Sequence, residues 1–436
     1  MSLARLGFLL AVAASAPATT AAQTPAAPPV IAVRAGRLVD VERGEVRRDQ
    51  LILIQGERIT AIQPGSTRPP AGARLIDLSR YSVLPGLIDC HSHLIGDLTD
   101  ADALLPLQRS AAQEAFSGVR NARSTLLAGF TTVRDVGTYR ALVDAALRDA
   151  INDGTVIGPR MAVAGAYVTV TSGGGELVGT ALDVHIPPEY RFGVANGVDQ
   201  VRERVRAILN GGADFIKIIA TGAVLTQGTK PGTSEYTEEE IRAAVEQAAE
   251  YGTYVAAHAH GAEGIKRAVR GGVDTIEHGT FMDDEGMKLM KERGTFYVPT
   301  ISAGNWVYTQ AQNPDFFPPV VRPKALQVGP QIQATFAKAY KAGVKILFGT
   351  DTGVSKHGEN AHEFKLMVDG GMPAMEAIRV ATSVPAKFLD LDDKVGSIAV
   401  GKLGELVGVP GNPLEDITAM ERVSFVMKDN TVYKAP

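Results

Sequence analysis

The sequence is poor in cysteine, in surplus positive charge and in long apolar runs. Cys90 is the only cysteine among 436 residues, which excludes an intrachain disulfide and a cysteine-rich zinc cluster. Lysine and arginine total 44 against 48 acidic residues, so no basic surplus exists to hold nucleic acid. Any bound metal must therefore rely on histidine, carboxylates or less common ligands. The 45% hydrophobic and 21% charged residues are typical of a folded globular protein.

The N-terminal segment has the pattern of a secretory signal peptide. Arg5 precedes an apolar stretch from Leu6 to Ala16, and small residues up to Ala22 form a cleavage site. The stretch is too short to span a bilayer as a helix, so we expect no membrane segment in the mature protein. We predict that residues 1–22 are removed and that the protein is periplasmic or secreted. The alternatives are an uncleaved anchor and a disordered tail.

The two ends of the chain are rich in Val, Ile and Leu, whereas the long middle alternates between strand and helix patterns. We expect residues 23–83 and 395–436 to form one small composite β-sandwich domain. Eight apolar runs lie between them, at residues 84–93, 131–137, 160–166, 214–220, 254–259, 275–279, 295–300 and 345–351. Eight such repeats predict an α/β fold, a (β/α)8 TIM barrel over residues 84–394.

A doubly wound open sheet is the alternative architecture, but no GxGxxG motif opens the first crossover. The clearest helix start is Thr237-Glu238-Glu239-Glu240, a capping box before a helical pattern. Two predicted loops, residues 167–196 and 301–323, are unusually long. Loops at the C-terminal face of a barrel build active sites, although surface insertions or oligomer contacts are the alternative.

Histidines are few, eight in all, yet five of them fall at the ends of predicted strands. These five are His91, His93, His258, His260 and His278, and Asp351 closes the eighth run. In a barrel these ends converge on one rim, and His-x-His on a strand places both imidazoles on one face. Imidazole with carboxylate suits zinc or a similar divalent ion. One such histidine would be read as a hydrogen-bonded core residue, but six residues together predict a metal site.

Lys217 interrupts the apolar run at residues 214–220. An ammonium group there must reach the strand end, pair with an acid, or lose its charge. A further interpretation is that its amine has reacted with carbon dioxide. The resulting carbamate is an anion whose two oxygens can bridge two metal ions.

Seven segments together carry a resemblance to a known family: LPGLIDCHSHL, AGFTTVRDVG, ADFIKI, VAAHAHGAEGI, IEHGTF, FGTDTG and GKLGELVGVPGNPLEDI. They resemble the amidohydrolase superfamily, in particular its Xaa-Pro dipeptidase-like, carboxypeptidase-like and ochratoxin-hydrolysing members. The resemblance implies a binuclear centre, with zinc as the expected metal. It implies that His91, His93 and Asp351 hold one ion, that His258 and His278 hold the other, and that N6-carboxylated Lys217 bridges them. A bridging hydroxide would attack the amide carbonyl, Asp351 would accept the proton, and the chains would assemble as tetramers or octamers.

The resemblance also implies a small-molecule amide or peptide substrate whose leaving group is an amino acid with a free carboxylate. An ochratoxin-type amide of phenylalanine is one such substrate. His260, which is not needed as a ligand, either contacts the substrate or braces its loop. The other predicted substrate contacts are Arg134, Tyr167, His185, Trp306, Tyr308 and His357, with Phe316 and Phe317 beside the tryptophan. For His185 the position in the long third loop favours a solvent-exposed residue over a substrate contact.

The third loop departs from the family pattern. Many relatives read T-G-G-H-G there, whereas this chain has Gly174 in place of the histidine. Two alternatives to an acyclic amide hydrolase stay open. The first is a cyclic-amide hydrolase or deaminase of the imidazolonepropionase type, which a bridging Lys217 disfavours. The second is an inert barrel that binds a partner, which six filled ligand positions disfavour.

Overall fold

The computed structural model describes residues 29–97, 102, 104–181 and 183–436. The predicted signal peptide, residues 1–22, lies outside this range. In the part of the chain that is described, no helix is both long and apolar enough to cross a membrane. Strands and helices alternate through the middle of the chain, which confirms the predicted α/β class.

The strands are, in chain order, β1 Val30–Asp40, β2 Glu45–Gln55, β3 Arg58–Pro64, β4 Arg74–Pro85, β5 Leu87–Ser92, β6 Phe130–Asp135, β7 Arg160–Val163, β8 Tyr167–Val168, β9 Ile216–Ile219, β10 Val255–Ala259, β11 Thr275–His278, β12 Phe296–Val298, β13 Leu406–Pro410, β14 Phe425–Lys428 and β15 Thr431–Lys434. The α-helices are α1 Leu105–Gln108, α2 Ala111–Leu127, α3 Val143–Asn152, α4 Val198–Asn210, α5 Glu238–Ala249, α6 Ala262–Gly271, α7 Asp284–Arg293, α8 Ile301–Ala311, α9 Arg322–Ala342, α10 His362–Asp369, α11 Ala374–Arg379 and α12 Ser383–Phe388. Two short 3₁₀ helices are Pro188–Tyr190 and Ile417–Arg422.

The two ends of the chain share one mixed sheet, in the order β15-β14-β13-β4-β1-β2-β3. The junction is antiparallel pairing of β13 with β4, in which Val407 faces Leu84. Ile54, Leu406 and Phe425 belong to one buried cluster, so both ends contribute to a common core. The predicted β-sandwich is not confirmed, because these strands form a single sheet. The domain boundaries stay a prediction.

Eight parallel strands fill the middle of the chain, in two sheets ordered β5-β6-β7 and β12-β11-β10-β9-β8. Main-chain hydrogen bonds join them on both sides. Asp214 N donates to Val163 O at 2.8 Å, and Leu347 N donates to Tyr297 O at 3.0 Å. Cys90 N then donates to Phe348 O at 2.8 Å, which connects residues 345–351 to β5.

Residues 345–351 do not form a regular strand, so the prediction of an eighth strand at these residues is wrong. The segment makes one isolated bridge, from Ile346 to Tyr297. The physical reason is that its amides go to different partners, since Phe348 N donates to Val380 O rather than to a neighbouring strand. The segment still lies between β12 and β5, as its hydrogen bonds show.

Helix starts were easier to predict than loops. The capping box at Thr237 is confirmed, with Thr237 N donating to Glu240 Oε2 at 2.9 Å. The second long loop, residues 301–323, is wrong because α8 occupies its first half. Gly304 within α8 serves close packing, since an added Cβ would lie 2.5 Å from Ile332 Cγ2 on α9.

Candidate metal centre

Six predicted ligands line one cavity. Strands supply four of them and the following turns supply the rest: His91 on β5, Lys217 on β9, His258 on β10, His278 on β11, His93 after β5, and Asp351 after residues 345–350. All are buried except His93, whose side chain is 12% exposed. Parallel strands that end on the same side explain how residues far apart in sequence meet here.

The ligand atoms form two overlapping groups of three. Those of His91, His278 and Asp351 lie within 4.8 Å of one another, and so do those of His258, His260 and His278. Asp351 Oδ1 lies 3.5 Å from His91 Nε2 and 3.3 Å from His93 Nε2. This spacing places several metal-binding atoms around a shared space.

The hydrogen bonds of the imidazoles fix which nitrogen carries the proton. His91 Nδ1 lies 2.6 Å from Glu277 Oε2, and His93 Nδ1 lies 2.7 Å from Gly137 O. An ionised carboxylate and a carbonyl can only accept, so Nδ1 of His91 and of His93 donates. Nε2 of each ring then faces the cavity, and in a neutral ring it is the atom that could bind a metal.

Two histidine Nε2 atoms of the site lack a hydrogen-bond partner in the part of the protein that the structure describes. His91 Nε2 and His258 Nε2 are buried and have no hydrogen-bond partner within the described residues. Burial and the neighbouring His260 hold the pKa of His258 well below its usual range, so the ring is neutral. A buried polar atom without a partner costs about 1–3 kcal/mol, which a bound cation would offset. The donor set therefore fits a divalent metal of the zinc type.

Arg134 supports this site from behind and does not contact the cavity. Its guanidinium is fully buried and donates to Glu277 Oε1 at 2.6 Å and to Cys90 O at 2.5 Å. The predicted contact of Arg134 with a substrate carboxylate is therefore wrong, because its donors are engaged inside the strand layer. Arg134 holds Glu277, and Glu277 holds His91.

Lys217 is 2% exposed, and no side-chain hydrogen bond contributes to its titration. Burial lowers the pKa of its ammonium group to about 8, while the charge of Glu277 opposes this shift and that of Arg134 adds to it. About half of the amine is then neutral near pH 8, whereas an exposed lysine is almost wholly charged there. A neutral amine is the form that reacts with carbon dioxide.

The turns after the strands adopt left-handed backbone conformations at three non-glycine residues. These are His278 at φ 71°, Thr300 at φ 52° and Asp351 at φ 58°. Such conformations cost roughly 1–3 kcal/mol and cluster at functional sites. One result is that Thr300 Oγ1 lies 2.8 Å from His278 Nδ1 and orients that ring. Sequence reasoning missed Thr300, since no local pattern marks it.

Three further residues that the sequence analysis discussed also line the cavity: His260, Tyr167 and Gly174. His260 Nδ1 lies 2.8 Å from Thr280 Oγ1, and burial lowers the pKa of this ring to about 3, so it is neutral. Tyr167 lines the cavity and its hydroxyl donates to Gly137 O at 2.9 Å. Gly174 also lines it, and an added Cβ would lie 3.1 Å from Ile219 Cγ2. A histidine at position 174 would thus require its neighbours to move.

Two predicted histidine contacts, His185 and His357, are not among the described residues that line the cavity. His185 is exposed on the third loop and lines a separate open groove. His357 lies near Thr125, with Nδ1 3.4 Å from Oγ1, and is not among the described residues that line the cavity. His185 therefore does not reach the cavity, whereas His357 lies beside the backbone of His93, and its contact with a substrate stays a prediction.

The predicted aromatic cover is also wrong, because residues 301–311 are helical. Trp306 packs against Phe316, with ring centroids 5.8 Å apart, on a face that does not line the cavity. Tyr308 packs against Gly329 of α9, where an added Cβ would lie 2.3 Å from Tyr308 Cβ. Helix α8 instead presents Ala303, Gly304 and Val307 to the cavity.

The cavity walls are aliphatic and carry little charge. Wall residues that sequence reasoning missed are Val224, Leu225, Ala303, Val307, Val328 and Ile332. Tyr139 was also missed; its ring meets that of Tyr167 edge-on at 5.3 Å. Among the lining residues that the structure describes, only Lys217 and Asp351 are charged side chains other than histidine. A polar floor below apolar walls is the usual form of a small-molecule site.

Comparisons with known proteins agree with this geometry. The sequence profile of the amidohydrolase family matches residues 82–434. Ochratoxinase of Aspergillus niger is 32% identical over 432 residues, which cover 93% of this chain and 87% of that protein. A crystal structure of a Xaa-Pro dipeptidase with bound methionine in the active site is 47% identical, with a TM-score of 0.89, and the match covers 93% of this chain and 100% of that one. A prolidase complexed with N-methylphosphonate-L-proline is 33% identical with a TM-score of 0.85 and the same coverage. The predicted resemblance is confirmed, and these likenesses indicate a TIM-barrel-like domain.

Proposed function

The chain belongs to the amidohydrolase family and is a hydrolase of amide bonds, and we propose that it cleaves N-acyl amino acids or small peptides with two divalent metal ions. The observation that carries this proposal is the pair of buried, orphaned Nε2 atoms of His91 and His258 beside Asp351 and Lys217. A protein interior rarely leaves such atoms without a partner.

The ligands divide between two positions. His91, His93 and Asp351 would hold one ion, His258 and His278 would hold the other, and a carbamate on Lys217 would bridge them, with zinc as the proposed metal. When bound, the two cations would polarise an amide carbonyl and lower the pKa of a water molecule towards neutrality. The lowered pKa of Lys217 supports the carbamate, because it raises the fraction of reactive amine.

Asp351 is placed to move a proton. Its Oδ1 lies 3.5 Å from His91 Nε2 and 3.3 Å from His93 Nε2, at the position that the attacking water would share. Its carboxylate is therefore available to accept a proton from the attacking water and to pass it to the leaving nitrogen. Neutral His260 lies across the same cavity, where its ring is held by Thr280 for contact with the substrate.

The walls support an apolar substrate. Val307 and Ile332 face the space above the floor, so an aliphatic or aromatic side chain would lose water there at a gain of about 0.8 kcal/mol per buried CH₂ group. No arginine lines the cavity within the described residues, so a substrate carboxylate would meet the neutral donors Tyr139 and His260. N-acyl derivatives of methionine, leucine and phenylalanine fit this description, as does an ochratoxin-type amide.

A panel of purified substrates tests the proposal. It contains N-acetylmethionine, N-benzoylphenylalanine, a Met-Pro dipeptide, ochratoxin A and several cyclic amides, with released amino acid as the measured product. We expect hydrolysis of acyclic amides, loss of activity with a chelator, and no activity in Asp351→Asn. Opening of cyclic amides without cleavage of any acyclic one would favour the cyclic-amide hydrolase instead. Inactivity of the metal-loaded protein on the whole panel would contradict the proposal.

A further inference from the structure

Residues 221–235, here called the wall loop, connect β9 to α5 and form one side of the cavity. Residues 223–226 of this loop line the cavity. The base of the loop is closed by Gly222 N, which donates to Thr233 O at 3.0 Å. The position of the loop relative to α8 and α9 therefore sets the width of the apolar end of the cavity.

Lys324, in the first turn of α9, holds the wall loop through a single ammonium group. Its Nζ donates to Thr226 O at 2.6 Å, to Ala223 O at 3.1 Å and to Thr229 O at 3.2 Å. An ammonium group has three protons, so these carbonyls use its whole donor capacity. Burial lowers the pKa of this ammonium to about 8, and no charge on another side chain contributes to that shift.

A lysine is locally unfavourable at this position. The first turn of a helix carries partial positive charge, and α9 has no acidic residue in its first turn. A residue that is unfavourable in its own helix is expected to make stabilising interactions with another part of the protein. Here the gain is three charge-assisted hydrogen bonds to a loop that is about a hundred residues away in sequence.

The wall loop is also attached to other parts of the site: Gly174 N donates to the Glu235 carboxylate, and His260 N donates to Thr221 Oγ1 at 3.0 Å. Thr226 Oγ1 donates to Gly174 O at 2.7 Å, which ties the loop to the segment after β8. Val224 belongs to the same buried cluster as Val328 of α9 and Phe317. Lys324 thus provides a polar link from α9, and two of its acceptors, Ala223 and Thr226, belong to the segment that lines the cavity.

We propose that Lys324 is a positioning residue that fixes the wall loop and thereby determines how tightly the cavity holds the apolar part of its substrate. The kinetic part of this inference rests on the proposed amide hydrolysis, whereas the structural part does not. Lys324 does not line the cavity and contacts none of the six predicted ligands. Its removal should therefore change substrate binding more than bond cleavage.

Hydrogen exchange tests the structural part without any substrate. Lys324→Met keeps the length of the side chain and removes the ammonium group, and Lys338→Met, at an exposed position of the same helix, is the matched control. We expect amides of residues 221–235 to exchange about 10-fold faster or more in Lys324→Met, and at the original rate in Lys338→Met. Unchanged exchange of the wall loop in a folded Lys324→Met protein would overturn the proposal. If Lys324→Met does not fold, Lys324→Gln takes its place, since its amide retains part of the donor set.

Steady-state kinetics test the functional part. In Lys324→Met we expect KM for an N-acyl methionine or phenylalanine to rise about 10-fold while kcat stays within about 3-fold, the scale of a few lost hydrogen bonds. A fall in kcat with KM unchanged would overturn the positioning role. If the wild-type protein hydrolyses none of these amides, the proposed function fails, and the exchange experiment still decides the role of Lys324.

Chemical rescue distinguishes a site that needs N–H donors for its three carbonyl groups from one that needs only a positive charge. Ethylammonium added to Lys324→Ala should restore a low KM by donating N–H groups to the three carbonyls. Tetramethylammonium, which has no N–H group, should not restore a low KM. The wild-type protein, measured with each cation, shows any effect of the cation on bound metal. Equal rescue by both cations would contradict the proposal.

Discussion

Replacement of Arg134 by methionine tests the buried support of the metal centre. Arg134 Nη2 and Glu277 Oε1 are 2.6 Å apart, and both side chains are 0% exposed. The substitution leaves a buried carboxylate without its countercharge and removes the donor to Cys90 O. Breaking a buried ion pair from one side costs about 3–5 kcal/mol of unfolding free energy, so we expect a loss of that size.

A double-mutant cycle makes this prediction specific. Glu277→Gln should also destabilise the protein by about 3–5 kcal/mol, because Arg134 is then the unpaired charge. The double variant Arg134→Met with Glu277→Gln leaves neither charge unpaired. Its cost should therefore be smaller than the sum of the single costs by at least about 2 kcal/mol.

The assay is urea unfolding of metal-stripped protein, followed by far-ultraviolet circular dichroism. The comparison holds where the dependence of unfolding free energy on urea is the same for all variants. Arg242→Met is the matched control, because Arg242 pairs with Glu238 at an exposed position and should cost less than about 1 kcal/mol. Additive costs, or single costs no larger than that of the control, would refute the supporting role of Arg134 and Glu277.

Three further predictions follow from other residues of the site. Lys217→Ala should lose most hydrolase activity and recover part of it when a short carboxylic acid occupies the position of the bridging carbamate. Lys217→Arg should be inactive because its guanidinium group stays protonated and cannot form a carbamate. Near-normal turnover of Lys217→Arg would exclude the bridging carbamate. Thr300→Val removes the partner of His278 Nδ1 and should weaken metal binding by about 10–100-fold, measured by competition with a chromophoric chelator, and an unchanged affinity would contradict the orienting role. Burial raises the pKa of Glu363, which accepts from Ile301 N and Ser302 N, from 4.5 to about 7. Its contribution to the free energy of unfolding is present below pH 4.5 and is lost as the pH rises through 7, by about 3 kcal/mol. Urea unfolding of Glu363→Gln should therefore show a flatter pH dependence than the wild-type protein between pH 4.5 and 7. Identical pH profiles of the two proteins would exclude the raised pKa of Glu363.

The sequence was most informative where chemistry and periodicity coincide. His91 and His93 could be placed together because alternate residues of a strand share a face, and the chain order of the βα repeats brought His258, His278 and Asp351 to the same rim. The buried position of Lys217 followed from its apolar neighbours. These inferences needed only local pattern and one architectural rule.

Long-range packing explains what the sequence did not predict. Arg134 was expected at the substrate because its charge is visible in the sequence, whereas its partner Glu277 lies 143 residues away. Residues 301–323 were predicted as a loop, whereas α8 forms there and packs against α9, where Gly304 permits close contact with Ile332. For the same reason Trp306 and Tyr308 were placed in the cavity, although the helix turns them towards other partners.

The most direct test of the account is hydrolysis as a function of bound metal. The protein is dialysed against a chelator, its metal content is measured by mass spectrometry, and zinc is then added stepwise in bicarbonate buffer while cleavage of an N-acyl amino acid is followed. We predict no activity in the metal-free protein and a rise that ends at two ions per chain. Full activity in a verified metal-free preparation, or no activity with two ions bound, would contradict the account.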